Sequence, residues 1–261
     1  MTKVSFTFAV RIAFTSIFLF CLNLSDAYAS VGTIPGEFKV NNDGSAGYTI
    51  PIQVPSGING IQPNLALVYN SNAGNGMLGV GWNLSGLSSI TRCSASMADD
   101  GYIRGIKYDA NDRFCLDGQK LVLASGAYGA SGSTYRTQKE SWKTITAIGN
   151  VGSGLGYFEV KTKDNKTLQY GATPDSLIEP QGRSDLARTW AISRIEDENG
   201  NYLTITYDED QVNGQYYPIS ISYAQGQALV SFQFVSRSDA EIYYQNGSVL
   251  KFNKVLKSIT S

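Results

Sequence analysis

Residues 192–208 read ISRIEDENGNYLTITYD. Two alternating runs flank Asn199-Gly200, a pair that supplies the positive φ angles a tight reversal needs, so the stretch predicts a β-hairpin. The same grammar recurs on both sides of it. Residues 158–171 (FEVKTKDNKTLQYG) turn at Asp164-Asn165, and residues 242–253 (IYYQNGSVLKFN) turn at Asn246-Gly247. Upstream, Tyr48, Ile50, Ile52 and Val54 share one face of a strand; Pro51, which has no N–H to give a ladder, predicts a sheet edge or a bulge there. Leu65, Leu67 and Tyr69 form the next face, and Ala66 and Val68 make its reverse apolar, so that strand is expected to be covered on both sides. Residues 55–63 are a connection broken by glycine and proline, and residues 72–86 read as tight glycine turns around Trp82. Downstream, Ile219-Ile221-Tyr223 and Val230-Phe232-Phe234 are further strands. The best helical candidate, residues 184–189, is about one turn long. The pattern predicts an all-β fold of antiparallel strands and hairpins in an extended or sandwich-like sheet, with very little helix.

Composition narrows function. The 261 residues carry 21 Lys+Arg against 22 Asp+Glu, a net charge of -1, and charged residues are only 16% of the chain. That balance excludes the basic stripe of a nucleic-acid binder, and 42% hydrophobic content excludes a disordered chain. Histidine is absent, which removes His-based triads and His-containing zinc sites together.

Residues 1–29 have the form of a secretory signal peptide. Lys3 and Arg11 precede an apolar run at 12–24, and Ala27-Tyr28-Ala29 is a small-x-small cleavage site. The run is shorter than the roughly 20 residues of a membrane span, and no later stretch is apolar enough, so no membrane association is expected after cleavage. The domain expected to remain is residues 30–261, exported to the periplasm, cell surface or medium. Cleavage removes Cys21 and leaves Cys93 and Cys115, which in an oxidising compartment are expected to form a bridge around a polar, turn-rich segment. Closing such a loop contributes about 3 kcal/mol in the chain-entropy picture.

Candidate chemistry is sparse. Asp99, Asp100, Asp208 and Asp210 are paired carboxylates in turn-like stretches, with nothing to fix the separation a glycosidase requires. Residues 109–117 (DANDRFCLD) and 208–214 (DEDQVNG) lack the register and distal glutamate of a calcium loop. Residues 149–156 (GNVGSGLG) lack the Lys-Ser/Thr and following helix of a phosphate loop. Sixteen tyrosines could build a sugar-stacking platform, although tyrosine is also a favoured strand residue. The sequons at Asn83, Asn165 and Asn246 matter only in a host that glycosylates them. No catalytic residue, metal ligand or cofactor site is expected.

Longer motifs carry a more specific signal. TIPGEFKVNNDGSAGYTI at 33–50, GVGWNLSGLSSITR at 79–92, YDANDRFCLDGQKLVL at 108–123, YG at 170–171, TWAISRIEDENGN at 189–201 and LKSIT at 256–260 occur in one order. This resembles the N-terminal domain of the Salmonella virulence plasmid B protein (SpvB) family, which is also found in the B components of insecticidal Tc toxin complexes. GNYLTITYD at 200–208 is similar to one Rhs/YD repeat, a hairpin unit that must stack on neighbours to bury a face. The resemblance implies an all-β module that begins a longer Rhs-like protein, with partners among FG-GAP-type or Rhs/YD repeats or toxin-complex subunits. It also implies a non-catalytic scaffold: the ADP-ribosyltransferase of such toxins is a separate C-terminal domain, and Glu196-Asp197-Glu198, although it contains a Glu-x-Glu spacing, falls at a hairpin turn. The alternative from another functional class is a surface adhesin or carbohydrate-binding module.

Overall fold

The 192–208 hairpin forms as its sequence dictates. Arg194, Ile195 and Glu196 of the strand Thr189–Glu196 pair with Thr204, Leu203 and Tyr202 of the strand Tyr202–Asp210. Gly200 takes φ 79° in the turn, and the Asp197 carboxylate accepts the backbone N–H groups of Asn199 and Asn201, each at 2.9 Å. The hairpins at Asp164-Asn165 and Asn246-Gly247 also form, with Asn165, Asn246 and Gly247 at positive φ. The computed structural model describes residues 35–261, so the leader read at 1–29 lies outside the described residues.

Eight strands close into a ring. Ser89–Cys93, Arg113–Leu116, Gln119–Ser125, Thr134–Thr137, Thr144–Val151, Gly154–Lys161, Thr167–Tyr170 and Thr189–Glu196 pair in that order, each antiparallel to the next, and the last pairs back onto the first. From Thr189–Glu196 the same sheet runs on through Tyr202–Asp210, Gln215–Tyr223, Ala228–Ser236 and Lys254–Thr260. A separate four-stranded sheet holds Glu37–Val40, Ala46–Pro51, Ala66–Asn70 and Trp82–Ser85. Ile242–Gln245 and Ser248–Lys251 make a two-stranded ribbon of their own. No helix among the described residues is long and apolar enough to cross a membrane.

The period-two pattern places alternate side chains inside the ring, and an eight-stranded barrel is just narrow enough for side chains to fill it. Tyr135, Ile145, Phe158, Val160, Tyr170 and Trp190 are fully buried. Phe114 and Phe158 each meet Trp190 edge to face, at centroid distances of 5.4 and 5.0 Å. The Trp190 indole N–H donates to the Gly156 carbonyl at 3.0 Å, so its polar atom is satisfied in the core.

Four details depart from the sequence reading. Ala46–Pro51 is an interior strand, between Glu37–Val40 and Ala66–Asn70. Pro51 is tolerated because it is the last residue, beyond the final Glu37–Thr49 pair on the first side. Residues 72–86 hold strand as well as turn: Trp82–Ser85 pairs with Ala66–Asn70, and Asn75–Gly76 with Gly79–Val80. Residues 184–188 are not helical but form a bent, irregular segment; Leu186 and Ala187 are buried, and the Asp185 carbonyl accepts N–H groups from Ser153 and Gly154, which ties the segment to the neighbouring hairpin. Among the described residues the α-helix sits instead at Met97–Asp100, where Ser96 caps the N-terminus, Asp99 accepts from the Ser96 hydroxyl, and Gly101 takes the left-handed position at the end.

That helix belongs to the long segment between Cys93 and Cys115, which is secured by charge. Arg92 Nη1 and Asp112 Oδ2 lie 3.2 Å apart, with the Asp112 side chain wholly inaccessible to solvent. Arg92 also donates to the carbonyls of Ala187 and Asp109, and Asp112 accepts from the Lys107 N–H. Asp112→Ala leaves a buried guanidinium without its counter-charge and is expected to destabilise the fold by about 3–5 kcal/mol. Urea denaturation of the two proteins measures it; a loss under about 1 kcal/mol would mean that the pair behaves as a surface ion pair.

Candidate functional site

An apolar hollow lies where two hairpins meet the N-terminal connection. It has a volume of about 260 Å³, a floor of Leu168, Ile195, Leu203 and Ile221, and a rim carrying Gln62, Asn64, Asp164 and Lys166. Its floor comes from the inward faces of paired strands, and its lip from the turn Ile58–Gly60 and the Asp164-Asn165 hairpin tip. Glu196-Asp197-Glu198 stands beside this junction, and its carboxylates are committed to holding it. Asp197 Oδ2 accepts from Asn59 Nδ2 at 2.7 Å and from Asn201 Nδ2 at 2.9 Å. Glu198 Oε2 accepts from Asn165 Nδ2 at 3.0 Å, and Glu196 Oε2 from Arg194 Nε at 2.9 Å. The donors from Asn201 and Asn59 hold Asp197 well ionised, at about 2. A carboxylate so low and so fully bonded is a poor proton donor or acceptor near neutral pH.

The other sequence candidates are likewise occupied. Burial opposes ionisation of Asp100, but hydrogen bonds from Lys120, Arg113 and the Ser96 N–H outweigh it and hold it at about 2. Asp99 accepts from Gln138 and Ser96. Asp208 accepts from Lys254, while Asp210 accepts from the Asn213 and Asn253 side chains and the Asn213 N–H. Asp109 pairs with Arg104, and Asp117 accepts from Ser88 and the Ser89 N–H. Three of the four glycines of 149–156 serve close packing: a Cβ on Gly152 would stand 2.6 Å from the Asp185 carbonyl oxygen, one on Gly154 2.7 Å from the Leu186 Cβ, and one on Gly156 2.7 Å from the Ile148 carbonyl oxygen. Cys93 and Cys115 lie diagonally across the paired strands Ser89–Cys93 and Arg113–Leu116, where Cys93 is opposite Arg113 and Cys115 opposite Thr91, with Cα atoms 5.9 Å apart and their sulfurs within bonding distance.

Four aromatics form a row that the sequence reading did not single out. Phe38, Tyr48, Tyr69 and Trp82 are direct cross-strand partners in successive strands of the four-stranded sheet, and so share one face. Tyr69 and Trp82 are 5.3 Å apart and tilted, and Tyr48 meets Trp82 edge-on at 6.4 Å. The signal was present as aromatics on alternating positions, but which strands neighbour one another cannot be read from alternation.

A second cluster was also missed. Glu209 lies beside Glu179, whose N–H it accepts at 3.2 Å, and near the buried Arg188, whose Nη2 donates to the Gly214 carbonyl at 2.8 Å and whose Nε has no partner. Burial and the Glu179 charge push Glu209 up to about 7, against the pull of the Glu179 N–H and Arg188. Between its ordinary value and 7 the folded chain therefore holds a proton that the unfolded chain has lost, so this group takes stability away as pH rises through that window. Glu209→Gln keeps the accepting oxygen and removes the titration. It is expected to raise the melting midpoint at pH 8 by about 2–4 °C and to leave it unchanged at pH 4; equal shifts at both pH values would show that Glu209 does not titrate in this window.

Residues 40–248 match the family described as Salmonella virulence plasmid 65kDa B protein, SpvB. No curated protein matches the chain by sequence. Among solved structures, the TcdB2-TccC3 crystal structure superposes with a TM-score of 0.71 at 17% identity, covering 88% of this chain and 14% of that one. A Photorhabdus luminescens Tc holotoxin pore gives 0.72 at 17% identity over 88% of this chain and 13% of that one. The N-terminal domain of the effector SpvB from Salmonella typhimurium gives 0.64 at 18% identity, covering 80% of this chain and 86% of that domain. At these identities the structures share the fold, and this chain spans about one seventh of the Tc toxin chains. With the family match extending over most of its length, the chain belongs to the SpvB family.

Proposed function

We propose that this chain is an exported, non-catalytic β-scaffold that assembles with further β-repeat sheet or with subunits of a toxin complex. The observation that carries the reading is the sheet itself: a ring that closes its own hydrogen bonds, then four more strands running off Thr189–Glu196 and finishing at Lys254–Thr260. Among the strands of the described residues, Lys254–Thr260 pairs only with Ala228–Ser236. One of its outward groups, the Leu256 N–H, is taken by the Met77 carbonyl at 2.9 Å. The rest is a margin on which a further strand can be laid. Membership of the SpvB family and the fold shared with Tc toxin structures support the same reading. So does the use of Glu196, Asp197 and Glu198 as turn braces. A carbohydrate-binding role has the aromatic row in its favour, yet its rings turn edges and tilted faces to one another, where stacking on a sugar needs open ring faces.

A photo-crosslinking amino acid at the exposed Lys257 tests the scaffold in the producing cell. Cross-links to a chain rich in β-repeats, or to a later β-repeat segment of the same product, are the expected result. No cross-link from Lys257, together with glycan binding that is lost on Trp82→Ala, would replace it with the adhesin reading. Export carries its own consequence for Cys93 and Cys115, which we propose are oxidised to a disulfide. Mass spectrometry of the unreduced exported protein is expected to find the two tryptic peptides linked, and two alkylatable thiols would refute the bridge.

A further inference from the structure

The Glu37–Val40 strand forms one margin of the four-stranded sheet, and its geometry selects a partner. Ala46–Pro51 lies on one side of it; no described residue pairs with the other. Asn41 donates its N–H to the Ser45 carbonyl at 2.9 Å. In an antiparallel ladder the inward-bonding residues alternate, so Glu37, Lys39 and Asn41 turn their backbone groups toward Ala46–Pro51. Gly36, Phe38 and Val40 turn theirs outward, where no described residue pairs with them. Two of these residues also carry large apolar side chains into solvent: Phe38 is 65% and Val40 66% exposed. Phe38 ends the aromatic row that begins at Trp82. The charges of the strand, Glu37 and Lys39, stand on the opposite face and alternate in sign.

We infer that this margin pairs with the same margin of a second copy of the chain, antiparallel about a two-fold axis through Phe38. The argument is one of register. Outward groups must meet outward groups, so in a symmetric antiparallel pair Phe38 can face Phe38 or Val40 of the second copy, never Lys39. Two such registers overlap three strand residues. One sets Lys39 directly opposite Lys39, a like-charge contact that disfavours pairing. The other sets Phe38 opposite Phe38 and places Glu37 opposite Lys39 twice, once on each side of the axis. The second satisfies the backbone, continues the aromatic row across both copies and neutralises the four charges. A C2 contact of this kind is self-complementary by construction. The strand is short, so the association is reversible and depends on concentration.

This margin belongs to a different sheet from Lys254–Thr260, so its failure would leave the scaffold proposal standing. Sedimentation velocity of the purified mature chain, from micromolar to submillimolar concentration, is expected to show a monomer–dimer equilibrium. Lys39→Glu puts like charges opposite each other at both sites and is expected to weaken association about tenfold or more. The double exchange Glu37→Lys with Lys39→Glu restores opposite signs in the same register and is expected to recover the dimer. Both positions are exposed, and unchanged melting curves confirm that each variant folds. A chain that stays monomeric throughout, a dimer indifferent to Lys39→Glu, or a double exchange that fails to recover association would each overturn the inference.

Discussion

A strand has two edges, and Thr189–Glu196 uses both along its length. Its first residues pair with Ser89–Cys93 and with Leu177–Ile178; its last residues pair with Thr167–Tyr170 and with Tyr202–Asp210. One strand therefore closes the ring and launches the open run of sheet. With both edges bonded it cannot slip, because a shift of one residue would turn every buried side chain toward the wrong face. Trp190 fixes the register further: its indole N–H is bonded to Gly156, and its ring is flanked by Phe114 and Phe158. Gly171 completes the lock. It takes φ 73°, and a Cβ there would stand 2.4 Å from the Trp190 ring, so glycine is required on both counts.

Polar side chains do the corresponding work outside the ring. In a chain with few charges, the carboxylates brace the fold: Asp197 organises a turn, Asp100 anchors Lys120 and Arg113, and Asp112 neutralises Arg92. Asp197 and Asp100 are held at about 2 by the groups that donate to them, which suits bracing and not proton transfer. Glu209 is the exception, raised to about 7 by burial and by Glu179. It sits on Tyr202–Asp210, the first strand beyond the ring, so the titrating group is at the root of the open run of sheet.

The local grammar of this fold was legible in the sequence, and its closure was not. All three hairpin turns and the strands around them follow from alternation and from Asn, Asp and Gly at the reversals. Ring closure depends on Thr189–Glu196 meeting a strand about a hundred residues upstream, and alternation does not say which strands become neighbours. The same limit hid the aromatic row, whose members come from four strands. At residues 184–188 tertiary contact overrode local preference: burial of Leu186 and Ala187 and the N–H groups arriving from Ser153 and Gly154 hold the chain out of a helix. The Met97–Asp100 helix did have a signature, Ser96 at the cap and Gly101 at the end, but one turn of helix has no apolar stripe to reveal it.

Sheet that leaves margins exposed must hold its stability somewhere else. Here the ring supplies much of it: eight strands satisfy one another's backbone groups, and side chains such as Tyr135, Phe158 and Trp190 are fully buried. Folding of the module and pairing of its margins are thereby separated, since neither Glu37–Val40 nor Lys254–Thr260 is needed to close the ring. The two margins are not equivalent. Lys254–Thr260 is partly covered, by Met77 at Leu256 and by the Ser261 hydroxyl reaching the Gln53 carbonyl at 3.3 Å. No described residue pairs with the outer side of Glu37–Val40, and its alternating Glu and Lys limit the registers that another strand can adopt. Alternating charge at an edge both discourages indiscriminate aggregation and selects a partner of matching pattern. A scaffold that must assemble without aggregating needs both properties in the same few residues.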